Sequence, residues 1–409
     1  MDYTKQPLLF RVAKALRYTR LYGPRHTLVR IRGQYHKRKK YDRLPEPKPP
    51  RHGADRQHIG IIGCGNFAFS IIAYHLKKNH GAVIRAAMDR NVERAASLYE
   101  AYGLSYYTDD AERLLADPAI DLVYVASNHA SHADYAIAAL DRGKCVHIEK
   151  PHVVDRRQLE ELCSAVASST GKVRLGFNRP HSAIGRRIKQ ALDSQSGAAM
   201  YNWFVAGHAI EPDHWYFREE EGGRVLGNLC HWTDFVYQMV PPEARYPLRI
   251  QPTRARQSDC DIAVSYVFGD GSIAAITFSA KGHTFEGVRE CFNAHRGDVL
   301  ISMSDFKRLI IETVAKKERN LALFRNHGHG DAIERSYLMA PASGGEDPGC
   351  DLRYLWETAE LFLATKDALE RNEPLVVSAY DPTAADSRRK YGAAGDDAQA
   401  PGPADESRY

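Results

Sequence analysis

Cysteine is scarce in this chain, at seven among 409 residues. The seven are scattered, odd in number and without a C-x-x-C pair, which argues against a disulfide framework and against a metal site. Reduced thiols in a cytoplasmic protein suit that usage. An uninterrupted apolar run of about 18 residues, the minimum for a membrane-spanning helix, is also missing. No apolar signal-peptide core precedes a small-residue cleavage site at the N-terminus, and no internal repeat is present. What remains is ordinary for a globular protein, 44% hydrophobic and 26% charged, with room for two domains and a sizeable core.

The net charge of +5 hides an asymmetry. Residues 1–58 hold 16 Lys/Arg against 4 Asp/Glu, or +12, and the rest of the chain is −7. The basic character therefore belongs to an appendage. Leu8, Val12 and Leu16 recur at helical spacing among Arg11, Lys14, Arg17 and Arg20, and a second cluster runs Lys37 to Lys40. Two readings stay open for residues 1–44. One is a helix packed on the body or on a partner, followed by a solvated basic linker. The other is contact with an anionic surface such as the inner membrane face. No nucleic-acid motif accompanies the charge, and no nucleic acid is expected. Leu44-Pro-Glu-Pro-Lys-Pro-Pro50 is a semi-rigid spacer, so residues 1–50 read as an extension plus linker.

The densest signal is His58-Ile-Gly-Ile-Ile-Gly-Cys-Gly-Asn-Phe-Ala68, a buried strand, a glycine turn and the start of a helix. Gly63, Gly65 and Ala68 form G-x-G-x-x-A, the dinucleotide fingerprint: a tight turn, close backbone approach to a pyrophosphate, and tight helix packing. Asn66 and Phe67 open the helix whose first N–H groups face the phosphates. Asp89 closes the next strand, where a carboxylate accepts from an adenine-ribose diol. NAD is the expected cofactor, with NADP the alternative because Arg90 follows and softens the repulsion of a 2′-phosphate.

Strand candidates Ile59–Ile62, Val83–Met88, Leu122–Ala126, Cys145–Ile148 and Val173–Phe177 alternate with helical stretches up to residue 178. That alternation predicts a doubly wound parallel sheet over 57–178. Beyond residue 195, runs rich in Tyr, Phe, Val and Ile appear at 200–206, 262–268, 272–279, 287–293 and 298–302. Gly269-Asp-Gly271 joins two of them as a hairpin. The expected architecture is α/β: a Rossmann domain followed by an α+β domain over 179–378 with a mostly antiparallel open sheet. A final helix is expected near Leu352–Arg371, and residues 380–409 read as a disordered tail.

Three motifs accompany the fingerprint. Ser127-Asn-His-Ala-Ser-His132 and Glu149-Lys150-Pro151 close successive parallel strands, so Ser127, Asn128, His132, Glu149 and Lys150 line the cofactor crevice. Gly222-Gly-Arg-Val-Leu-Gly-Asn-Leu-Cys-His231-Trp-Thr-Asp234 lies in the second half. With Asn178-Arg179-Pro180, His214-Trp215 and Phe268-Gly-Asp-Gly-Ser272, the chain resembles the glucose–fructose oxidoreductase and inositol dehydrogenase (Gfo/Idh/MocA) family over residues 57–378. The resemblance implies NAD(P)-dependent hydride transfer at a carbinol carbon of a sugar, cyclitol or nucleotide-linked sugar, and assembly into dimers or tetramers. It assigns Lys150 and His231 to the reacting oxygen; Arg179, His214 and Trp215 are candidates for the substrate pocket, with a place in the core the alternative for Trp215. Imidazole suits a base at neutral pH, and a lysine stabilises developing negative charge.

One position departs from the family, which often carries an Asp four residues before the histidine. Here that residue is Gly227, and Asn228 is the nearest polar side chain, able to position a hydroxyl but not to act as a base. Asp234, one helical turn after His231, is a candidate to orient its ring. The departure keeps a second reading alive, an NAD-binding scaffold or sensor subunit with weak catalysis, docked through its basic N-terminal segment.

Overall fold

The computed structural model describes residues 6–46, 56–210, 213–254, 261–282 and 287–381. It opens with two helices, α1 (Leu8–Tyr22) and α2 (Pro24–His36), hinged at Gly23. Six short strands follow: β1 (Ile59–Ile62), β2 (Ile84–Met88), β3 (Tyr106–Thr108), β4 (Leu122–Val125), β5 (Cys145–Ile148) and β6 (Val173–Leu175). They pair in parallel in the order β3-β2-β1-β4-β5-β6. Nearly every residue of β1, β4 and β5 is buried, which explains their continuous apolar runs: a sheet covered on both faces leaves no solvent side to alternate toward. The covering helices are α3 (Ala73–His80), α4 (Val92–Tyr102), α5 (Ala111–Leu115), α6 (His132–Leu140) and α7 (Arg156–Ser168). Asn91, Asp110 and Asp155 cap α4, α5 and α7 by accepting from backbone N–H groups, each replacing a bond that the helix start lacks.

The chain then passes through α8 (Ala183–Asp193) into a nine-stranded sheet. Its strands are β7 (Ala199–His208), β8 (Leu248–Arg254), β9 (Asp261–Val267), β10 (Ile273–Gly282), β11 (Arg289–Arg296), β12 (Val299–Ser304), β13 (Arg308–Glu312), β14 (Lys317–Leu321) and β15 (Leu375–Val377). The order is β14-β13-β12-β11-β7-β10-β9-β8-β15, antiparallel except for β7 beside β10. The Gly269–Gly271 hairpin joins β9 to β10 as expected. Strict alternation along β7 buries Tyr201, Trp203 and Val205 and leaves Met200 and Phe204 exposed. The buried face packs on α9 (Cys230–Met239) and α11 (Leu352–Arg371), with Trp203 edge-on to Phe235 at 5.1 Å. Each such fully buried side chain contributes about 1.5–3 kcal/mol. Helix α10 (His329–Tyr337) crosses back to pack on α3, β5 and β6.

Several elements were not read from the sequence: β3, β8, β13, β14, β15, α2, α8, α9 and α10. The N-terminal segment is two helices because Gly23-Pro24 breaks the pattern, and α2 docks on the parallel-sheet half. His36 is buried, bonded to Ser97 Oγ and to the Cys64 carbonyl at 2.8 Å each and stacked on Phe69. Lys39 pairs with Glu100 and Lys40 with Glu93, so those two cations of the basic cluster have partners on this protein. Leu8, Leu9, Val12 and Leu16 of α1 stay exposed. The proline spacer from residue 47 and the tail from residue 382 lie outside the described residues.

Candidate active site

The dinucleotide end of the site begins at Gly63. Its φ is +88°, and a Cβ there would stand 2.5 Å from the Ala126 carbonyl and the Ser127 nitrogen, so only glycine lets β1 and β4 end side by side. Around Gly65 the space is open. Helix α3 starts with a wide π turn, Ala68–Ile72, and continues as Ala73–His80; such turns recur at functional sites. Asp89, half-buried, accepts from the Cys64 N–H and the Asn91 N–H, both at 2.8 Å, so it braces the glycine turn from the ribose side. Arg90 is exposed. The Asn66 side-chain oxygen is buried without a partner, and the Phe67 ring stands 5.7 Å from His329. Open space at Gly65 and a carboxylate at the ribose position fit a bound dinucleotide, while the Asn66 oxygen faces Gly33 of α2.

The loop after β4 is tied to the second half of the chain. Asn128 donates to Glu221 Oε1 at 2.8 Å, and Ser131 bonds Ser127 at 2.8 Å. Two residues expected along the cofactor are committed to protein partners instead. His132 is buried, with its ring nitrogens at Pro151 O (2.7 Å) and Ser127 O (3.2 Å), so it fastens one strand-end loop to the next. Glu149 is buried against His147 at 3.1 Å.

Lys150 is brought to the second half by its own hydrogen bond, Nζ to the Gly227 carbonyl at 2.8 Å. Burial opposes its charge, but Tyr216, Cys230 and Glu149 together hold its pKa above the usual lysine value. It is an ammonium at any physiological pH. Gly227 lies in a second π turn, Val225–Leu229, which leads directly into α9. A Cβ at Gly227 would stand 2.7 Å from both His129 and Tyr216. Those two rings fill the space that a side chain at position 227 would enter, which accounts for the glycine.

His231 sits in the first turn of α9, one turn after Asn228. The Asn228 Oδ1 and the His231 Nδ1 are both buried without a partner. Burial, then Arg179 and Lys150, push the His231 pKa well below its ordinary value, so the resting ring is neutral. Asp234 does not orient it. That carboxylate accepts from Tyr354 at 2.6 Å and from Gln238 at 3.1 Å, and burial raises its pKa to about 7. The helical-turn spacing is right, but α11 claims the side chain.

Arg179 donates to Glu290 at 2.6 Å and lies over the Trp232 ring, whose Nε1 donates to the same oxygen at 2.7 Å. His327 approaches the other Glu290 oxygen at 3.0 Å. Against burial, Arg179 and His327 hold the Glu290 pKa down to about 2. His214 accepts from the Tyr216 N–H, and Trp215 and Tyr216 each pack on His129 at 4.8 Å. The structure thus brings Lys150, Asn228, His231, Arg179 and the His214–Tyr216 turn together. Sequence reasoning missed His129, Tyr216, Glu290 and His327; the first stood inside a quoted motif and the second directly after one, whereas nothing local marked the others. Among the described residues no group of three or more His, Cys, Asp or Glu could hold a metal ion, and no helix is long and apolar enough to cross a membrane.

Comparison with known proteins agrees with this geometry. Residues 57–177 match the Gfo/Idh/MocA family described as "Oxidoreductase family, NAD-binding Rossmann fold". Oxidoreductase P35 of Formosa agariphila is 34% identical over 139 residues, 34% of this chain and 43% of that protein. Inositol 2-dehydrogenase of Pseudomonas syringae pv. syringae is 34% identical over 139 residues, 33% of this chain and 41% of the relative. The chain therefore spans less than half the length of these two relatives. Over the whole fold, levoglucosan dehydrogenase in complex with NADH and levoglucosan superposes with a TM-score of 0.67 at 17% identity, covering 78% of this chain and 99% of that one; this is a likeness of fold. What the chain shares with the Gfo/Idh/MocA oxidoreductases is thus a match to their NAD-binding Rossmann domain over residues 57–177.

Proposed function

We propose that this protein is an NAD-dependent dehydrogenase or reductase acting at a carbinol carbon of a sugar, cyclitol or nucleotide-linked sugar. The observation that carries the reading is a charged Lys150 bonded to the Gly227 carbonyl, one turn before a neutral His231 whose Nδ1 is buried without a partner. Bound nicotinamide would take or give the hydride. In the oxidative direction His231 accepts the hydroxyl proton, and the Lys150 ammonium stabilises the oxygen as negative charge develops. Asn228, with its buried Oδ1 free, positions a second hydroxyl. Arg179, fixed by Glu290 and Trp232, lines the substrate side, with His214 and Trp215 closing it. Asp89 favours NAD over NADP by repelling a 2′-phosphate. The test is NADH-coupled turnover on a panel of sugars: Lys150→Met and His231→Ala should abolish it while NADH binding persists. Unchanged turnover in either variant refutes the assignment.

The exposed Met200, Phe204 and Leu300 on the outer face of the large sheet support self-association into a dimer or tetramer. A second reading, a docked NAD-binding subunit, draws on the exposed Leu8, Leu9, Val12 and Leu16 of α1, an apolar row set among basic residues that suits a membrane surface. Replacing the exposed Leu8, Leu9, Val12 and Leu16 of α1 with Ser separates the two, because an enzyme keeps turnover on dissolved substrate and a docked subunit loses its surface.

A further inference from the structure

A cleft of about 690 Å³ lies beneath α2, between α3, the start of α10 and the start of β11. Its size is that of a small-molecule site. Five of its lining residues are cations, Arg25, Arg30, Lys78, Arg179 and Arg325, against the single carboxylate Glu290. Glu290 is spent on Arg179 and His327, and Arg325 is paired with Asp305 at 2.9 Å. Among the described residues, Arg25, Arg30 and Lys78 have no acidic partner. The Arg30 Nε is moreover buried with no hydrogen bond.

Backbone adds to the same field. The first turns of α2 (Pro24–His26) and of α10 (His329–Gly330) both line the cleft, and helix N-termini carry partial positive charge. The imidazoles there register it. His26 and His75 are pushed down to about 4, by burial first and then by Arg30 for His26 and by Lys78 for both. Burial, His327 and Arg30 lower His329 as well. A cavity with this much uncompensated positive charge is built for an anion. Arginine forks and two helix N-termini suit the tetrahedral, multiply charged phosphoryl group better than a single carboxylate. Because Arg179 lines the cleft and lies over the ring of Trp232, the residue after His231, at 5.2 Å, the cleft adjoins the reacting site.

We propose that the substrate is a phosphorylated sugar, its phosphate or diphosphate held in this cleft by Arg30, Lys78 and Arg25 while the carbinol carbon faces Lys150 and His231. This rests on the dehydrogenase reading and narrows its substrate. The shared chemistry, phosphate, has a second source in the cofactor itself, and the test separates the two. The full chain, saturated with NADH, is titrated calorimetrically with inorganic pyrophosphate, with myo-inositol as the uncharged control. Pyrophosphate should bind beside NADH, and affinity should fall about tenfold in Arg30→Gln and in the surface variant Lys78→Gln, the loss of one charge-assisted hydrogen bond. Thermal unfolding shows that each variant is folded. No binding, binding equal in wild type and both variants, or displacement of NADH by pyrophosphate overturns the proposal. Failure of the parent reading looks different: NADH fails to bind, or turnover survives His231→Ala.

Discussion

Replacing Glu290 with Gln keeps the shape of the side chain and removes its charge, and the structure sets the size of the effect. Glu290 is fully buried between Arg179, Trp232 and His327. Its pKa is about 2 in the fold against 4.5 unperturbed. At 1.36 kcal/mol per unit, the carboxylate contributes about 3 kcal/mol to stability. The folded pKa lies below the unfolded one, so this stability is present above pH 4.5 and is lost as pH falls from 4.5 through 2. Glu290→Gln should therefore lower the unfolding free energy by about 3 kcal/mol at pH 7, in the range for breaking a buried pair. The gap should close as pH falls toward 2. Guanidinium unfolding followed by tryptophan fluorescence over that range reads it out. Equal stability of the two proteins at pH 7, or a gap that persists at the acid end, would refute the argument that this carboxylate is held ionised to fix Arg179.

The remaining expectations concern the site directly. Lys150→Met and His231→Ala should each lower kcat by about 10²–10⁴-fold with NADH dissociation constants unchanged by fluorescence titration. Gly227→Asp should not raise activity, because its Cβ would meet His129 and Tyr216 at 2.7 Å; overpacking of about 1–3 kcal/mol should appear as a lower Tm. Asp234→Asn should stabilise the protein at pH 8 by up to about 4 kcal/mol, since its pKa rises from 3.8 to about 7 and the cost of ionising it grows across that window. Asp89→Ala should narrow the preference for NADH over NADPH in competitive titration, because the repelling carboxylate is gone.

What the sequence revealed follows from how local each signal is. The Gly63 turn, the alternation of strand and helix up to residue 178, and the Gly269–Gly271 hairpin depend on neighbours within a few residues, so they were legible. Lys150 and His231 were legible because each stands in a contiguous motif. Asp234 was misread because helical spacing gives direction along its own helix, not the competing Tyr354 of α11 that claims it. His132 was misread for a similar reason, since its two partners lie on strand-end loops that only the folded sheet brings together. The docking of α2 through His36, and the clamp of Glu290 on Arg179, join residues far apart in the chain. No periodicity announces such contacts. Tyr216 and His129 acquire meaning only once the space above Gly227 is seen to be theirs.

The central claim is that Lys150 and His231 carry hydride chemistry on a sugar carbon, and its most direct test is transfer of label. The purified full chain is incubated with NADH deuterated at the nicotinamide C4 and a panel of keto-sugars and their phosphates, and products are read by mass spectrometry. Deuterium should appear on the new carbinol carbon with the wild-type protein and not with Lys150→Met or His231→Ala. Label transfer that persists in both variants, or its absence from every product while NADH is bound, would contradict the account.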